Sequence, residues 1–265
     1  MPQPRIRLID ELVRRFPDRP ARELAALVIR GLVRVDGEPA GKPGSPVRPG
    51  AALELPAAPT WVSRGATKLV AALEAWRFDV RGRVMLDAGS STGGFTDCLL
   101  AGGAAAVHCV DVGRGQLAWK LRTDPRVRVR EGVNVMDLRP GDLLPRPDRA
   151  VADLSFRSLR GAAPAILSLT GDGLGIFLCK PQFEWKDHPA RFRGVVTDPA
   201  DLARILHALV DDLWDAGAFT RRIMPSPIEG RKGNREFLLL LSDRPGAHRA
   251  AASAAVDACL SSLEV

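Results

Sequence analysis

Val84-Met85-Leu86-Asp87-Ala88-Gly89-Ser90-Ser91-Thr92-Gly93-Gly94-Phe95 reads as a buried strand that runs into a glycine-rich turn and then opens a helix. Glycine lets a ligand approach the backbone, and the first turn of a helix presents N–H groups without intrahelical acceptors. Such a turn suits a dinucleotide, a nucleotide or no ligand at all. The spacing, Asp87-x-Gly89-x-x-x-Gly93-Gly94, is neither G-x-G-x-x-G nor the phosphate-binding G-x-x-x-x-G-K-[ST].

Outward from this turn, strand-like runs recur at 107–112, 127–130, 150–154, 174–179, 219–224 and 237–241, with helical patterns at 67–76, 95–101, 159–169 and 200–216. The alternation predicts an α/β fold, a parallel sheet covered by helices on both faces. In such a sheet ligands bind at the carboxyl ends of the strands. Asp111 ends the second strand, where a carboxylate can accept hydrogen bonds from a ribose diol; a plain strand-end turn would also place an Asp there. Asp153 ends the fourth strand and Lys180 the fifth, so the two are expected to converge, either in the crevice or as an ion pair that closes the sheet edge.

Residues 5–55 follow a different pattern. Ile6, Leu8, Ile9, Leu12, Val13 and Phe16 repeat at helical spacing, Pro17-Asp18-Arg19-Pro20 interrupts, and a second helix is predicted from Ala21 to Ile29, ended by Gly31. Leu32-Val33-Arg34-Val35 leads into Asp36-Gly37, a hairpin signal, and a short strand follows at 52–55. Pro56-Ala57-Ala58-Pro59 is a stiff linker, since each proline fixes φ. The expected division is a small α+β domain over 1–55, a linker over 56–63, a large domain over 64–243 and a helical tail over 244–265.

The 265 residues hold 38 Lys+Arg against 31 Asp+Glu, a net charge of +7, which favours a polyanionic partner. Residues 1–60 contribute ten Lys/Arg and seven Asp/Glu. Cys98, Cys109, Cys179 and Cys259 are scattered without a C-x-x-C pair, so neither a metal site nor a disulfide framework is expected. No run approaches the ~18 apolar residues of a membrane span. A cytoplasmic monomer is the expectation.

Several stretches carry a resemblance. The order helix, Gly31, Val33-x-Val35-Asp36-Gly37, Lys42-Pro43-Gly44, Val47-x-Pro49-Gly50 and Leu53-Glu54-Leu55 resembles the small RNA-binding domain first known from a ribosomal small-subunit protein, the S-four-type domain. The glycine-rich spacing resembles the first motif of S-adenosylmethionine-dependent methyltransferases. Trp61-Val62-Ser63-Arg64-Gly65-Ala66-Thr67-Lys68-Leu69, Asp111-Val112-Gly113-Arg114-Gly115-Gln116-Leu117-Ala118-Trp119, Asp153-Leu154-Ser155-Phe156, Lys180-Pro181-Gln182-Phe183-Glu184, Gly194-Val195-Val196-x-Asp198-Pro199 and Lys232-Gly233-Asn234-Arg235-Glu236-Phe237 occur in order. Together they closely resemble the haemolysin A (TlyA) family, relatives of the FtsJ-type ribose methyltransferases, over about residues 5–242.

That resemblance implies a Rossmann-like methyltransferase sheet, S-adenosylmethionine as cofactor and 2′-O-ribose methylation of ribosomal RNA. It implies a catalytic tetrad at Lys68, Asp153, Lys180 and Glu236, and cofactor contacts at Asp87, Gly89, Ser90, Gly93, Phe95, Asp111, Asn134 and Asp153. For the adenine contact, Asn134 competes with Asp137. Lys180 is the candidate to take the proton of the 2′-hydroxyl, with Lys68 crowding it and Asp153 and Glu236 orienting the amines. Ser90 stands where alanine is more usual, and the 185–193 loop, with Lys186, Arg191 and Arg193, is unusually basic; it either covers the site, grips phosphates or is a mobile surface loop. A membrane-active haemolysin and a non-catalytic rRNA-binding factor are the alternatives. The first would need a membrane span, a barrel or a strongly amphipathic helix, and the second sits poorly with an intact tetrad.

Overall fold

The computed structural model describes residues 5–17, 21–29, 31–55, 61–190, 192–230, 232–246 and 248–263, apart from the side chains of 22, 23 and 26. The interruption at 18–20, the linker prolines Pro56 and Pro59, and Arg191 of the basic loop lie outside the described residues. The chain divides into two compact units, Met1–Thr60 and Trp61–Val265.

The first unit runs β1 (Ile6–Arg7), α1 (Leu8–Arg15), α2 (Ala21–Ile29), β2 (Arg34–Val35), β3 (Glu38–Pro39), β4 (Pro46–Val47) and β5 (Leu53–Glu54). Ile6 is not the first helical position that its spacing suggested: it pairs with Val47 in β4. The helix starts at Leu8 because the loop between β3 and β4 supplies acceptors for its free amides, Leu8 N–H to Ser45 O (2.8 Å) and Ile9 N–H to Pro43 O (2.9 Å). Asp36 (φ 52°) and Gly37 (φ 84°) turn the β2–β3 hairpin in the left-handed region, as the sequence predicts. Leu8, Leu12, Leu24, Leu27, Val33 and Val47 close a small core.

The second unit runs α3 (Gly65–Trp76), β6 (Val84–Ala88), α4 (Gly94–Ala101), β7 (Ala106–Asp111), α5 (Trp119–Arg122), β8 (Val127–Glu131), a 3-10 turn (Val135–Asp137), β9 (Arg149–Ala152), α6 (Leu159–Ser168), β10 (Leu174–Cys179), α7 (Pro181–Glu184), α8 (Pro199–Asp215), β11 (Phe219–Pro225), β12 (Phe237–Ser242) and α9 (Arg249–Ser261). These strands form a seven-stranded sheet in the order β11-β12-β10-β9-β6-β7-β8. Alternate residues of each strand enter opposite cores. Leu86, Phe177 and Leu239 pack against α6, α8 and α9, whereas Met85, Ile176 and Leu238 pack against α3, α4 and α5. Near-continuous apolar runs follow from burial on both faces.

The sheet departs from the expected all-parallel form at one strand. β12 is antiparallel to both β10 and β11. Among the described residues no helix lies between β11 and β12, and a chain that returns without a crossover must pair antiparallel. This reversal has a consequence for the site. Cys179, the last residue of β10, pairs with Phe237, the first of β12. Glu236 is therefore carried to the same edge of the sheet as Lys180.

Candidate active site

The strand order reverses direction at β6, whose neighbours are β7 on one side and β9 on the other. Such a switch point opens a crevice at the carboxyl ends of the strands. Gly89 (φ 81°) turns the chain there, and a Cβ on it would stand 2.5 Å from Asp153 O. Glycine thus lets the turn lie directly on the end of β9. Gly93 (φ 94°) caps α4, with the side chains of Leu117 and Leu121 occupying the place of a Cβ.

The cofactor candidates divide by burial. Asp111 is half-buried and receives two backbone amides, Ser91 N–H on Oδ2 (2.8 Å) and Gly113 N–H on Oδ1 (2.7 Å), so it ties the glycine-rich turn to the next loop. A carboxylate holding two donors keeps lone pairs for a diol. Asn134 is half-buried and caps the 3-10 turn, Oδ1 accepting from Met136 N–H (3.1 Å); Asp137 is exposed. Ser90 and Phe95 are buried, and the Phe95 ring packs in the core beneath α3 and α4.

Asp87 is fully buried. One oxygen accepts from Thr96 Oγ1 (2.6 Å), and the other has no hydrogen-bond partner. Burial first, and then the neighbouring charges of Asp153 and Asp111, push its carboxyl up to about 7. This acidic strand end suits a ligand that brings positive charge.

The four tetrad candidates form two ion pairs. Lys68, in the first turn of α3, and Glu236, ahead of β12, are both buried and bonded to each other. Lys180 Nζ stands 2.6 Å from Asp153 Oδ1 and donates to Leu154 O (3.0 Å). Each lysine has a carboxylate of its own. Asn234, also buried, accepts from Val196 N–H (3.0 Å) and donates to Gly194 O (2.8 Å), fixing the loop that delivers Glu236.

In the sequence Phe156 is only the last residue of the Asp153-Leu154-Ser155-Phe156 stretch. It is 89% exposed, has φ 59°, and its ring lies 5.3 Å from that of Phe183. A bulky residue in the left-handed region is strained, and strain of this kind collects at functional sites. The two rings stand on the loop that follows Asp153 and on α7, which follows Lys180, and an exposed aromatic face can stack on a nucleobase. A large aromatic in a strand-end loop was the available signal. Val112 is likewise a large apolar side chain left exposed, beside Asp111. Of the basic loop, Trp185, His188 and Phe192 form an aromatic cluster, Arg204 of α8 lies over Trp185, and Lys186 bonds to Asp212.

Residues 61–242 match the family described as FtsJ-like methyltransferase, and residues 6–53 match the S4 domain. The chain belongs to the FtsJ-like methyltransferase family. Within it, the chain is 45% identical to the 16S/23S rRNA (cytidine-2′-O)-methyltransferase TlyA of Mycobacterium tuberculosis, over 89% of this chain and 90% of that one. It is 34% identical to Hemolysin A of Brachyspira hyodysenteriae, over 80% and 89% of the two chains. A solved structure of a presumed hemolysin from Streptococcus thermophilus superposes with a TM-score of 0.73 at 33% identity, covering 98% of each chain. The resemblance to the TlyA-type FtsJ-like enzymes and the mixed α/β methyltransferase fold thus hold over nearly the whole chain. Among the described residues, no helix of this FtsJ-like protein is long and apolar enough to cross a membrane.

Proposed function

We propose that the protein transfers a methyl group from S-adenosylmethionine to ribose 2′-hydroxyls of ribosomal RNA. The observation that carries this reading is the presence of two lysine–carboxylate pairs, Lys68 with Glu236 and Lys180 with Asp153; Glu236 and Lys180 stand at one edge of the sheet, and the Asp153 backbone lies against Gly89 of the glycine-rich turn. A ribose hydroxyl is a poor nucleophile, and attack on a methyl carbon requires removal of its proton and in-line alignment. Bound at the turn, S-adenosylmethionine would supply an electrophilic methyl on a positively charged sulfur. The Asp111 carboxylate suits the diol of such a ligand. Lys180 Nζ would take the proton of the hydroxyl, and Asp153 stands where it would hold the resulting ammonium. Lys68 and Glu236 position one another beside it. Phe156 offers a face for the base of the target nucleotide, and the S4 domain supplies contacts to folded RNA at a cytoplasmic site of action.

The test incubates separated ribosomal subunits with labelled S-adenosylmethionine and maps 2′-O-methyl positions. Incorporation at ribose is expected; none into any subunit or free rRNA defeats the proposal. Lys180→Ala, with fold and cofactor binding retained, is expected to lower kcat roughly a hundred- to ten-thousand-fold. Near-normal turnover would remove Lys180 from the proton-transfer role.

A further inference from the structure

The segment 154–158 links the end of β9 to the start of α6 and carries Phe156 in a strained conformation. Lys180 touches its beginning through Leu154 O (3.0 Å) and reaches Ser155 Oγ at 3.5 Å. Its other end is held by Glu184, four residues after Lys180 at the end of α7. Glu184 is only 2% exposed. One of its oxygens accepts from Ser158 Oγ (2.6 Å) and Arg160 Nη1 (2.9 Å), and the other from Leu159 N–H (2.8 Å). The Leu159 amide is among those that the first turn of α6 leaves free, while Ser158 caps the same turn through Arg160 N–H. Arg160 is itself bonded to Asp212 of α8, so the carboxylate is braced from a third element.

We infer that Glu184 is a positioning residue: with Lys180 it clamps both ends of 154–158, fixing Asp153, Lys180 and the Phe156 ring relative to one another. Glu184 ends the same four-residue helix that Lys180 caps. With Pro181 fixing φ at its first position, α7 is a short rigid bar with a proton-handling group at one end and an anchor at the other. A shift of about 1 Å at a reacting group can cost a hundred-fold in rate.

The inference rests on the proposed methyl transfer, and its test separates the two. In the full-length protein, Glu184→Gln keeps an acceptor for Leu159 but loses the charge facing Arg160, and Ser158→Ala removes one donor while sparing the carboxylate. Glu184→Gln is expected to lower kcat about a hundred-fold and Ser158→Ala less. Affinity for S-adenosylmethionine, measured by calorimetry without RNA, and KM for ribosomal subunits should stay within about two-fold, a split that general loss of stability would not produce. Amide hydrogen exchange should rise about ten-fold across 154–159 and stay unchanged at the glycine-rich turn. If both variants turn over within two-fold of wild type, or if cofactor affinity falls in step with kcat, the positioning role is overturned. Should the wild-type protein not methylate rRNA, the proposed function fails while hydrogen exchange still decides the clamp: unchanged protection at 154–159 in Glu184→Gln overturns it.

Discussion

At the scale of single residues, Asp87 is the group with most to reveal. Its carboxyl is pushed up to about 7 by burial, against an ordinary value near 4 when the chain is unfolded. The folded state therefore favours the protonated form. Between pH 4 and 7 the unfolded chain releases this proton first, so stability contributed by the neutral form is present below pH 4 and lost as pH rises to 7. Asp87→Asn removes that loss. Its stability is expected to match wild type near pH 4 and to exceed it at pH 8, by on the order of 4 kcal/mol at most, read as a higher thermal midpoint at pH 8, while S-adenosylmethionine binding weakens. A midpoint gain equal at both pH values would show that burial of the charge is not what the asparagine relieves. The sequence made Asp87 legible as a motif position but not its lone oxygen, because desolvation depends on Thr96, Cys109 and the helix layer above them. For the tetrad candidates, the residues were legible through their surrounding motifs; that each lysine takes a separate carboxylate was not.

At the scale of elements, the loop from Asp111 to α5 is built around one glutamate. Glu131, the last residue of β8, accepts from the backbone amides of Gly115 (2.9 Å), Gln116 (3.0 Å) and Leu117 (3.3 Å) and from Arg122 Nη2 (2.6 Å). The Arg122 guanidinium and these amides hold its carboxyl down at about 2. A carboxyl depressed on folding contributes stability above pH 4.5, its ordinary range, and loses it as pH falls through 2. Glu131→Gln is expected to lower the thermal midpoint at pH 7, with the two curves converging toward pH 2, and to weaken cofactor binding several-fold through the loosened loop. Calorimetric melts across pH 2–7 measure the first, and titration with S-adenosylmethionine the second. From sequence, Glu131 is an ordinary charge at a strand end. Its role comes from donors 9 to 16 residues away that the strand pattern does not reveal. Element types were legible because each has a strong period: β10 spans Leu174–Cys179 as its apolar run predicts, and the Asp36-Gly37 hairpin turns where expected. The direction of β12 was not. Periodicity reports which face of a strand is buried and says nothing of the way it runs.

At the scale of the whole molecule, the net charge of +7 bears on how RNA is held and not on how it is methylated. Several arginines are already engaged within the fold: Arg149 with Asp172, Arg160 with Glu184, Arg126 with Asp124 and Arg122 with Glu131. Those side chains add little to a surface field. In the first unit, Arg48 pairs with Asp36, and Glu11 gathers Arg14 and Arg15. There the buried Glu11 fixes the direction of two guanidiniums without removing their remaining donors, as a surface that grips phosphates requires. If phosphate contacts dominate affinity, each one releases counterions, and binding weakens steeply with salt. For a footprint of about five phosphates, raising salt from 50 to 200 mM is expected to weaken binding to ribosomal subunits about a hundred-fold or more. Affinity for S-adenosylmethionine, which displaces no such ion atmosphere, should change by less than about two-fold under the same shift. Arg14→Ala combined with Arg15→Ala should flatten the salt slope by roughly one to two units and leave cofactor binding intact. A slope that stays unchanged in this double variant would move the phosphate grip away from α1, to basic side chains elsewhere on the protein.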